Sequence, residues 1–259
     1  GDQMTTLPHN LLESVARWPA ACAIQQGSAR RSYAELAPKA DAFARRLRTG
    51  ARVPERVALL GDSSANYVAA WYGAWFAGSA VVALNAAARA DDLIGWMTHA
   101  EVGALIADAA HPEIQQVVAA LPPSISVHLY DSRDETNAVG VVTSASAPVV
   151  VPASSECLAL MLYTSGSTGH PKAVMLSHGA LAANTAAIIS YLQLSERDSS
   201  VCVLPFYYSY GSSVLHTHLA SGARLVIEPN LVFPHRVVET VSRERATGFA
   251  GVASSFSLL

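Results

Sequence analysis

The stretch from Leu162 to His178 reads LYTSGSTGHPKAVMLSH and joins two apolar runs through a loop of small polar residues. Leu158–Tyr163 precedes the loop and Ala173–Leu176 follows it, and both runs have the length and composition of short strands. Six of the eight residues from Thr164 to Pro171 are Thr, Ser or Gly. The pattern predicts two strands joined by a hydroxyl-rich loop.

This loop has the composition of a binding site for phosphate groups. Gly166 and Gly169 permit backbone turns that a Cβ would obstruct, so that successive N–H groups can point at an anion. Hydroxyl donors and one positive charge are added by Thr164, Ser165, Ser167, Thr168 and Lys172. It is not a Walker loop, because the lysine does not directly follow the second glycine and a strand is predicted next. The alternative is a surface hairpin with ordinary Ser/Gly turn chemistry.

Four segments resemble the adenylate-forming superfamily, which includes acyl-CoA synthetases, aryl-CoA ligases, luciferases and adenylation domains of nonribosomal peptide synthetases. Met161–Lys172 resembles the superfamily's phosphate-loop signature position by position. In the order of the family, Arg31–Leu47 is similar to its amino-terminal helix motif and Gly73–Asn85 to a helix packed on a strand. Leu204–Gly211, LPFYYSYG, is similar to its acyl-pocket motif. The chain most resembles the amino-terminal part of an acyl-CoA or acyl-acid ligase.

Composition indicates a soluble globular protein and excludes some partners. The 259 residues are 51% hydrophobic and 14% charged, with a net charge of −3, so there is no basic field for nucleic acid. Two charge-free stretches, 63–88 and 199–223, are interrupted by Gly, Asn, Ser or Pro, so no membrane span is predicted. The three cysteines form no C-x-x-C pair, and no signal peptide is visible, so we expect a cytoplasmic protein.

Helical and strand patterns alternate along the chain. Ser32-x-x-Glu35 is a capping box that opens an amphipathic helix ending near Gly50. Strand Val57–Leu60, helix Tyr67–Ala77 and strand Ala80–Leu84 then form a predicted βαβ unit, whose strands are parallel. Further helices are predicted near 91–99, from Pro112, at 179–191, near 212–219 and from Pro234, with strands at 104–107, 127–130, 149–151, 201–204, 224–227 and 248–252. The fold class is α/β, with βαβ subdomains built on parallel sheets.

Loss of periodicity between Asp131 and Ser155 indicates a connecting segment. We therefore predict a first α/β subdomain at 1–131, a connection at 132–155, and a second α/β subdomain at 156–259 that contains the phosphate loop. The sequence stops at Leu259 inside an apolar segment without a helix-ending signal. We expect the second subdomain to be incomplete and the chain to be truncated at its carboxyl end.

The resemblance implies an ATP-dependent ligase. Such enzymes form an acyl-adenylate from a carboxylic acid, release pyrophosphate, and pass the acyl group to CoA or to phosphopantetheine on an acyl carrier protein. It also implies that the β- and γ-phosphates are held by Thr164, Ser165, Gly166, Ser167, Thr168, Gly169 and Lys172, with Thr164 and Lys172 in catalytic roles. The main Mg²⁺ ligand, the adenine-stacking motif and the lysine that contacts the carboxylate would follow Leu259, so this fragment alone would be inactive.

The acyl-pocket motif supplies the candidate substrate pocket. Its members are Phe206, Tyr207, Tyr208, Tyr210 and Gly211, and Tyr208 stands where many acyl-CoA ligases have histidine. No Asp or Glu occurs between Pro205 and Ala223 to pair with the ammonium of an amino acid. Because an unpaired buried charge is costly, a fatty or aryl acid is expected. For each aromatic residue taken singly, core packing is the alternative.

Two histidine motifs are weaker signals. His216-x-His218 would suit a metal on a strand, but the segment is predicted to be helical, where a spacing of two points the rings apart. We therefore predict no metal site there, and we expect His178 to fix the turn after the second strand.

Two functions stay open at the level of sequence. The first is the acid-thiol ligase, and the second is a non-catalytic nucleotide- or acyl-binding module that keeps the fold. The complete set of phosphate donors with Lys172 favours the ligase, since a binding remnant does not need every donor. The identity of the acid, the choice between CoA and a carrier protein, and the oligomeric state stay undetermined.

Overall fold

The computed structural model describes residues 5–133, 147–164, 169–229 and 232–259. Helices and strands alternate along most of this length. The helices are α1 Leu7–Arg17, α2 Tyr33–Arg48, α3 Ala65–Phe76, α4 Ala90–His99, α5 Ile114–Ala120, α6 His178–Leu192, α7 Ser209–Ser221, α8 Pro234–Arg243 and α9 Ala253–Leu258. The strands are β1 Cys22–Gln26, β2 Ala29–Ser32, β3 Arg56–Leu60, β4 Ala80–Ala83, β5 Ala104–Asp108, β6 Ser126–Tyr130, β7 Leu158–Thr164, β8 Lys172–Ser177, β9 Ser199–Cys202, β10 Arg224–Ile227 and β11 Gly248–Ala250.

Within the described residues, the strands form two mostly parallel sheets. The six-stranded sheet has the order β6-β5-β3-β4-β7-β8, and the five-stranded sheet has the order β11-β9-β10-β1-β2. The pairs β7–β8 and β1–β2 are antiparallel, and the other pairs are parallel. The α/β class predicted from the alternating patterns is confirmed.

The sheets do not follow the sequence boundaries at residues 131 and 156. β1 pairs with β10, so residues near the amino terminus complete the five-stranded sheet. β7 pairs with β4, so the strands that flank the predicted phosphate loop belong to the six-stranded sheet. The division into two contiguous subdomains and a connection therefore stays a prediction, and sheet membership does not support it.

Most predicted elements are present, and α2 shows why. Ser32 Oγ accepts a hydrogen bond from the N–H of Glu35 at 3.2 Å, and the Glu35 carboxylate accepts one from the N–H of Ser32 at 2.8 Å. This is the reciprocal capping box that the sequence predicts. α5 begins two residues later than predicted, at Ile114 rather than at Pro112, with Glu113 as its N-cap.

The predicted strand at Val149–Val151 is absent. The N–H of Val149 donates to the carboxylate of Asp41 at 3.3 Å, and the N–H of Val151 donates to the carbonyl of Phe76 at 2.9 Å. These donors are therefore bonded to helical residues instead of a neighbouring strand. The sequence analysis also missed α1 and the hairpin of β1 and β2, although Leu7, Leu11 and Ser14 recur at helical spacing and are buried.

Helix α3 is the centre of the larger core. Every residue from Asn66 to Phe76 is buried, which explains the charge-free stretch that includes them. α2 crosses α3 at Gly73, where a Cβ would lie 2.5 Å from the carbonyl oxygen of Ala40 and 2.6 Å from Cβ of Phe43. None of the described helices is long and apolar enough to cross a membrane.

His216 of α7 is buried among aromatic rings of α3. Its Nδ1 lies 3.0 Å from the hydroxyl of Tyr72, and its ring lies 5.4 Å from Trp71 and 5.0 Å from Trp75 between centroids. Burial without a nearby carboxylate lowers the pKa of His216 to about 3. The folded protein therefore keeps this histidine neutral.

We expect stability to fall as the pH is lowered from about 6.5 towards 4. In this range the unfolded chain protonates His216 and the folded chain does not, so the unfolding free energy falls by up to about 1.4 kcal/mol per pH unit. Urea denaturation at several pH values should show a shallower dependence for His216→Gln than for wild type. His235→Gln is the control, because His235 is exposed. An equal slope of unfolding free energy against pH in wild type and His216→Gln would contradict the assignment.

Candidate active site

The hairpin of β7 and β8 carries the predicted phosphate loop. Thr164 ends β7 and lies in register with Lys172, which begins β8. Gly169 has a φ of +74°, a conformation that glycine adopts without strain. The predicted residues Ser165, Gly166, Ser167 and Thr168 lie outside the described residues. The structure therefore locates the two ends of the loop.

Lys172 lies on the face of the six-stranded sheet that meets the larger core. Side chains alternate along a strand, so Lys172, Val174 and Leu176 share one face. Leu176 packs against the core cluster that contains Phe206, whereas Ala173 packs against the separate cluster under α4. Lys172 is exposed, and its charge lies on the side of the sheet that also holds the aromatic segment.

The segment Leu204–Gly211 is tied to the same edge of this sheet. β3, β4 and β7 are parallel, so the turn after β3 and the loop after β7 leave from one edge. Ser63 lies in that turn, and its Oγ accepts a hydrogen bond from the N–H of Phe206 at 3.1 Å. The predicted phosphate loop and the turn that holds the predicted acid pocket thus lie at the same edge of the sheet, with β4 between their strands.

The same segment also occupies the switch point of the five-stranded sheet. In the sheet, β9 lies between β10 and β11. The chain passes from β9 to β10 on one side of β9 and later crosses to β11 on the opposite side of β9. Ligands of parallel α/β sheets bind in the crevice at the carboxyl ends of strands where the order reverses. Leu204–Gly211 leaves the carboxyl end of β9 at this point and leads into α7.

The aromatic residues of the segment divide into two groups. Phe206 is fully buried, and Tyr207 is nearly so. Tyr208 and Tyr210 are 49% and 50% exposed, and the Tyr208 ring packs edge-on against Tyr207 with centroids 4.8 Å apart. Core packing accounts for Phe206, while Tyr208 and Tyr210 present aromatic surface to solvent. Their role as a substrate pocket stays a prediction.

Two residues near this segment were missed in the sequence analysis. Ser63 holds the Phe206 backbone, and a hydroxyl in the turn after a parallel strand was the available signal. Tyr67 is fully buried, and its hydroxyl has no hydrogen-bond partner among the described residues. Burial, with smaller effects of Tyr207 and the Asp62 carboxylate, raises the pKa of Tyr67 well above its usual value. No signal in the sequence distinguished Tyr67, because in an apolar helix it resembles an ordinary core residue.

The histidines of α7 do not form a metal pair. His218 Nε2 lies 2.8 Å from the hydroxyl of Ser200, and its Nδ1 lies 2.7 Å from the carbonyl of Val214. His216 faces the aromatic rings of α3 instead. Among residues 5–133, 147–164, 169–229 and 232–259, no group of three or more His, Cys, Asp or Glu side chains could hold a metal ion.

His178 does not fix its turn through its side chain. Ser177 Oγ caps α6 by accepting a hydrogen bond from the N–H of Ala180 at 3.1 Å. The buried His178 ring packs edge-on against Trp75, with centroids 5.6 Å apart. Burial, with a smaller effect of His9, lowers the pKa of His178 to about 4, so the ring is neutral at pH 7.

Comparison with known proteins agrees with this geometry. The model of the family described as AMP-binding enzyme matches residues 11–259. The chain belongs to the AMP-binding enzyme family. The resemblance that the sequence motifs indicated is therefore confirmed for nearly the whole length of the chain.

Two relatives and one solved structure illustrate the range of the family. Feruloyl-CoA synthase from an Amycolatopsis species is 29% identical over 248 residues, 93% of this chain and 47% of the relative. An L-proline ligase of an L-prolyl-carrier protein from Streptomyces coelicolor is 31% identical over 252 residues, 90% of this chain and 46% of the relative. The inhibitor-bound N-terminal domain of FACL13 from Mycobacterium tuberculosis has a TM-score of 0.86 at 22% identity, covering 98% of this chain and 64% of that chain. At that identity the last comparison shows the fold. The chain spans about half the length of the two curated relatives.

We expect Gly211→Ala to destabilise the folded chain. A Cβ at Gly211 would overlap the carbonyl oxygen of Pro205, so the aromatic segment would have to shift, at a cost of about 1–3 kcal/mol. Urea denaturation measures the change. Gly95→Ala is the matched control, because Gly95 is helical with nothing within 4 Å of its Cβ position, and alanine should add up to about 1 kcal/mol there. Wild-type stability in Gly211→Ala would rule out this packing.

Proposed function

We propose that the whole protein uses ATP to activate a carboxylic acid. A carboxylate oxygen attacks the α-phosphorus, a P–O bond to the leaving pyrophosphate breaks, and an acyl-adenylate forms. A thiol sulfur then attacks the acyl carbon and AMP leaves, which produces a thioester on CoA or on the phosphopantetheine of a carrier protein. The observation that carries this proposal is that the loop ends and the Ser63 turn, which accepts a hydrogen bond from the N–H of Phe206, leave the same edge of the six-stranded sheet.

In this proposal Lys172 stabilises charge on the phosphates. Pyrophosphate departs with growing negative charge, and a fixed cation with oriented N–H and hydroxyl donors favours that charge. Thr164, Ser165, Gly166, Ser167, Thr168 and Gly169 would supply the donors, with Thr164 beside Lys172 across the hairpin. Mg²⁺ would neutralise the phosphates further. The described residues have no carboxylate cluster that fits it, so no role in holding Mg²⁺ is assigned to them.

The aromatic segment favours a fatty or aryl acid over an amino acid. No Asp or Glu lies between Pro205 and Ala223, and half-exposed Tyr208 and Tyr210 offer apolar surface. The relative named feruloyl-CoA synthase supports an aryl acid and CoA, whereas the L-proline ligase supports an amino acid and a carrier protein. The lack of Asp and Glu between Pro205 and Ala223 favours an acid without an ammonium group, and both CoA and a carrier protein stay open as the thiol acceptor. Residues 1–259 alone are expected to be inactive.

Lys172→Ala in the full-length protein should reduce ATP–pyrophosphate exchange by at least about tenfold, because a charge-assisted contact to the leaving phosphates is lost. Lys39→Ala is the control, since Lys39 is the other lysine of the chain and lies on α2. Thermal melting should confirm that both variants fold. Unchanged exchange in Lys172→Ala would remove the lysine from the mechanism, whereas absence of exchange in the wild-type protein would favour a non-catalytic binding module.

A panel of carboxylic acids should show a preference for fatty or aryl acids over every free amino acid. The factor is on the order of a hundredfold, because the ammonium of an amino acid would be buried without a partner. Pyrophosphate exchange with each acid is the measurement, and Tyr208→Ala should alter the ranking among the preferred acids. An amino acid as best substrate, or an unaltered ranking in Tyr208→Ala, would exclude this pocket.

A further inference from the structure

Tyr163, the last residue before Thr164, faces away from Lys172. It lies in register with Ala173, and both pack with the core cluster on the α4 side of the six-stranded sheet. Lys172, the residue before Ala173 on β8, alternates to the opposite face. At the base of the predicted phosphate loop, Lys172 therefore lies on one face of the hairpin and Tyr163 lies on the other.

Two side chains of α4 hold Tyr163 from behind. The indole of Trp96 stacks on the Tyr163 ring, with centroids 5.8 Å apart and planes 20° from parallel. His99, three residues later on the same helix face, places Nδ1 2.7 Å from the Tyr163 hydroxyl. In the neutral tautomer protonated on Nε2, the hydroxyl donates this hydrogen bond to Nδ1. The contacts join one helix to the last residue of β7.

α4 is itself fixed to the sheet, so it can act as a rigid support. Leu93 and Met97 bury one side of the helix in the core cluster that includes Ala58 and Met161. The guanidinium of Arg56 on β3 donates to the carbonyl of Ala100, the residue that caps α4, at 2.9 Å. The ring of Tyr163 is therefore held against an element that is anchored along its length and at its end.

Exposure separates this group from ordinary core packing. Trp96 and Tyr163 are half-buried and pack against the α4-side core cluster, whereas His99 is exposed, so the hydrogen bond between His99 and Tyr163 is not needed to fill the core. A hydrogen bond at this exposed site contributes little to overall stability. Its main effect is on the direction and position of the β7 end.

We propose that Trp96 and His99 are positioning residues that hold Tyr163 and thereby place the two ends of the phosphate loop for a nucleoside triphosphate. The inference rests on the proposed function for its ligand. When the support is lost, Thr164 and, across the hairpin, Lys172 can shift relative to the phosphates. Misplacement of about 1 Å lowers rates by up to about a hundredfold, so a contact remote from the reacting atoms affects the reaction.

The first experiment is a double-mutant cycle on the full-length protein. His99→Ala and Tyr163→Phe should each raise KM for MgATP in pyrophosphate exchange by about fivefold, the effect of one net hydrogen bond, while KM for the acid is unchanged. Because both remove the same bond, the double variant should match either single variant. Additive effects, or equal changes in the two KM values, would overturn the proposal.

The stack is tested by conservative rescue. Trp96→Ala should raise KM for MgATP, and Trp96→Phe should restore it, since an aromatic ring still covers Tyr163. Thr98→Ala is the matched control, because Thr98 is exposed between the two residues and its hydroxyl donates within α4 to the carbonyl of Ile94. A failure of Trp96→Phe to restore KM, or a Thr98→Ala effect as large as that of Trp96→Ala, would show a merely structural effect of α4.

A second readout does not depend on catalysis. Lys172 is exposed at the start of β8, so trypsin can cleave after it when the hairpin end opens. Without nucleotide, mass spectrometry should detect this cleavage about fivefold faster in Trp96→Ala and His99→Ala than in wild type or Thr98→Ala. Equal rates would overturn the positioning role. If wild type shows no pyrophosphate exchange, the proposed function fails, and the cleavage rates still decide whether α4 holds the hairpin.

Discussion

The burial of α3 between neighbouring elements is the constraint on which the two-sheet arrangement depends. The indole N–H of Trp75 on α3 donates a hydrogen bond to the carbonyl of Ala159 on β7 at 2.9 Å. The hydroxyl of Tyr72, also on α3, lies 3.0 Å from Nδ1 of His216 on α7. One helix thus sets the position of the strand before the phosphate loop and of the helix after the aromatic segment. The two parts of the candidate site are brought together by packing around a shared core.

This burial restricts the side chains that α3 and its neighbours can carry. A charged group there would lose its hydration without gaining a partner, so the sequence has no charged residue from Ser63 to Ala88. The histidines that pack against α3 are kept neutral, with the pKa of His216 at about 3 and that of His178 at about 4. Two histidines of this core therefore oppose folding when the pH is low.

The proposed function and the proposed support of the loop involve opposite faces of the six-stranded sheet. Lys172 and the aromatic segment lie on the α3 side, where the proposed chemistry takes place. Trp96 and His99 lie on the α4 side and contact Tyr163, which alternates to that face. Side chains of β7 alternate between the two core clusters. Contacts on one face of this strand can thus fix the direction of the strand end while the proposed binding loop serves the other face.

The sequence by itself determined the elements whose signals are local. The capping box of α2, the βαβ unit of β3, α3 and β4, and the loop between β7 and β8 could be predicted because each depends on neighbouring residues or on a regular period. Those motifs also sufficed to indicate the family and the residues of the candidate site. The absence of Asp and Glu between Pro205 and Ala223 was visible in the same way.

Only the tertiary structure decided which elements meet. β1 joins β10 across most of the chain, β7 joins β4 across four intervening elements of the described residues, and no local pattern encodes such pairing. Val149 to Val151 has strand-like composition, yet its N–H groups bond to helical residues. The support of Tyr163 by Trp96 and His99 likewise joins residues far apart in sequence. The physical reason is that periodicity records which face of an element is apolar, whereas the identity of the partner depends on contacts that form only when the whole core is assembled.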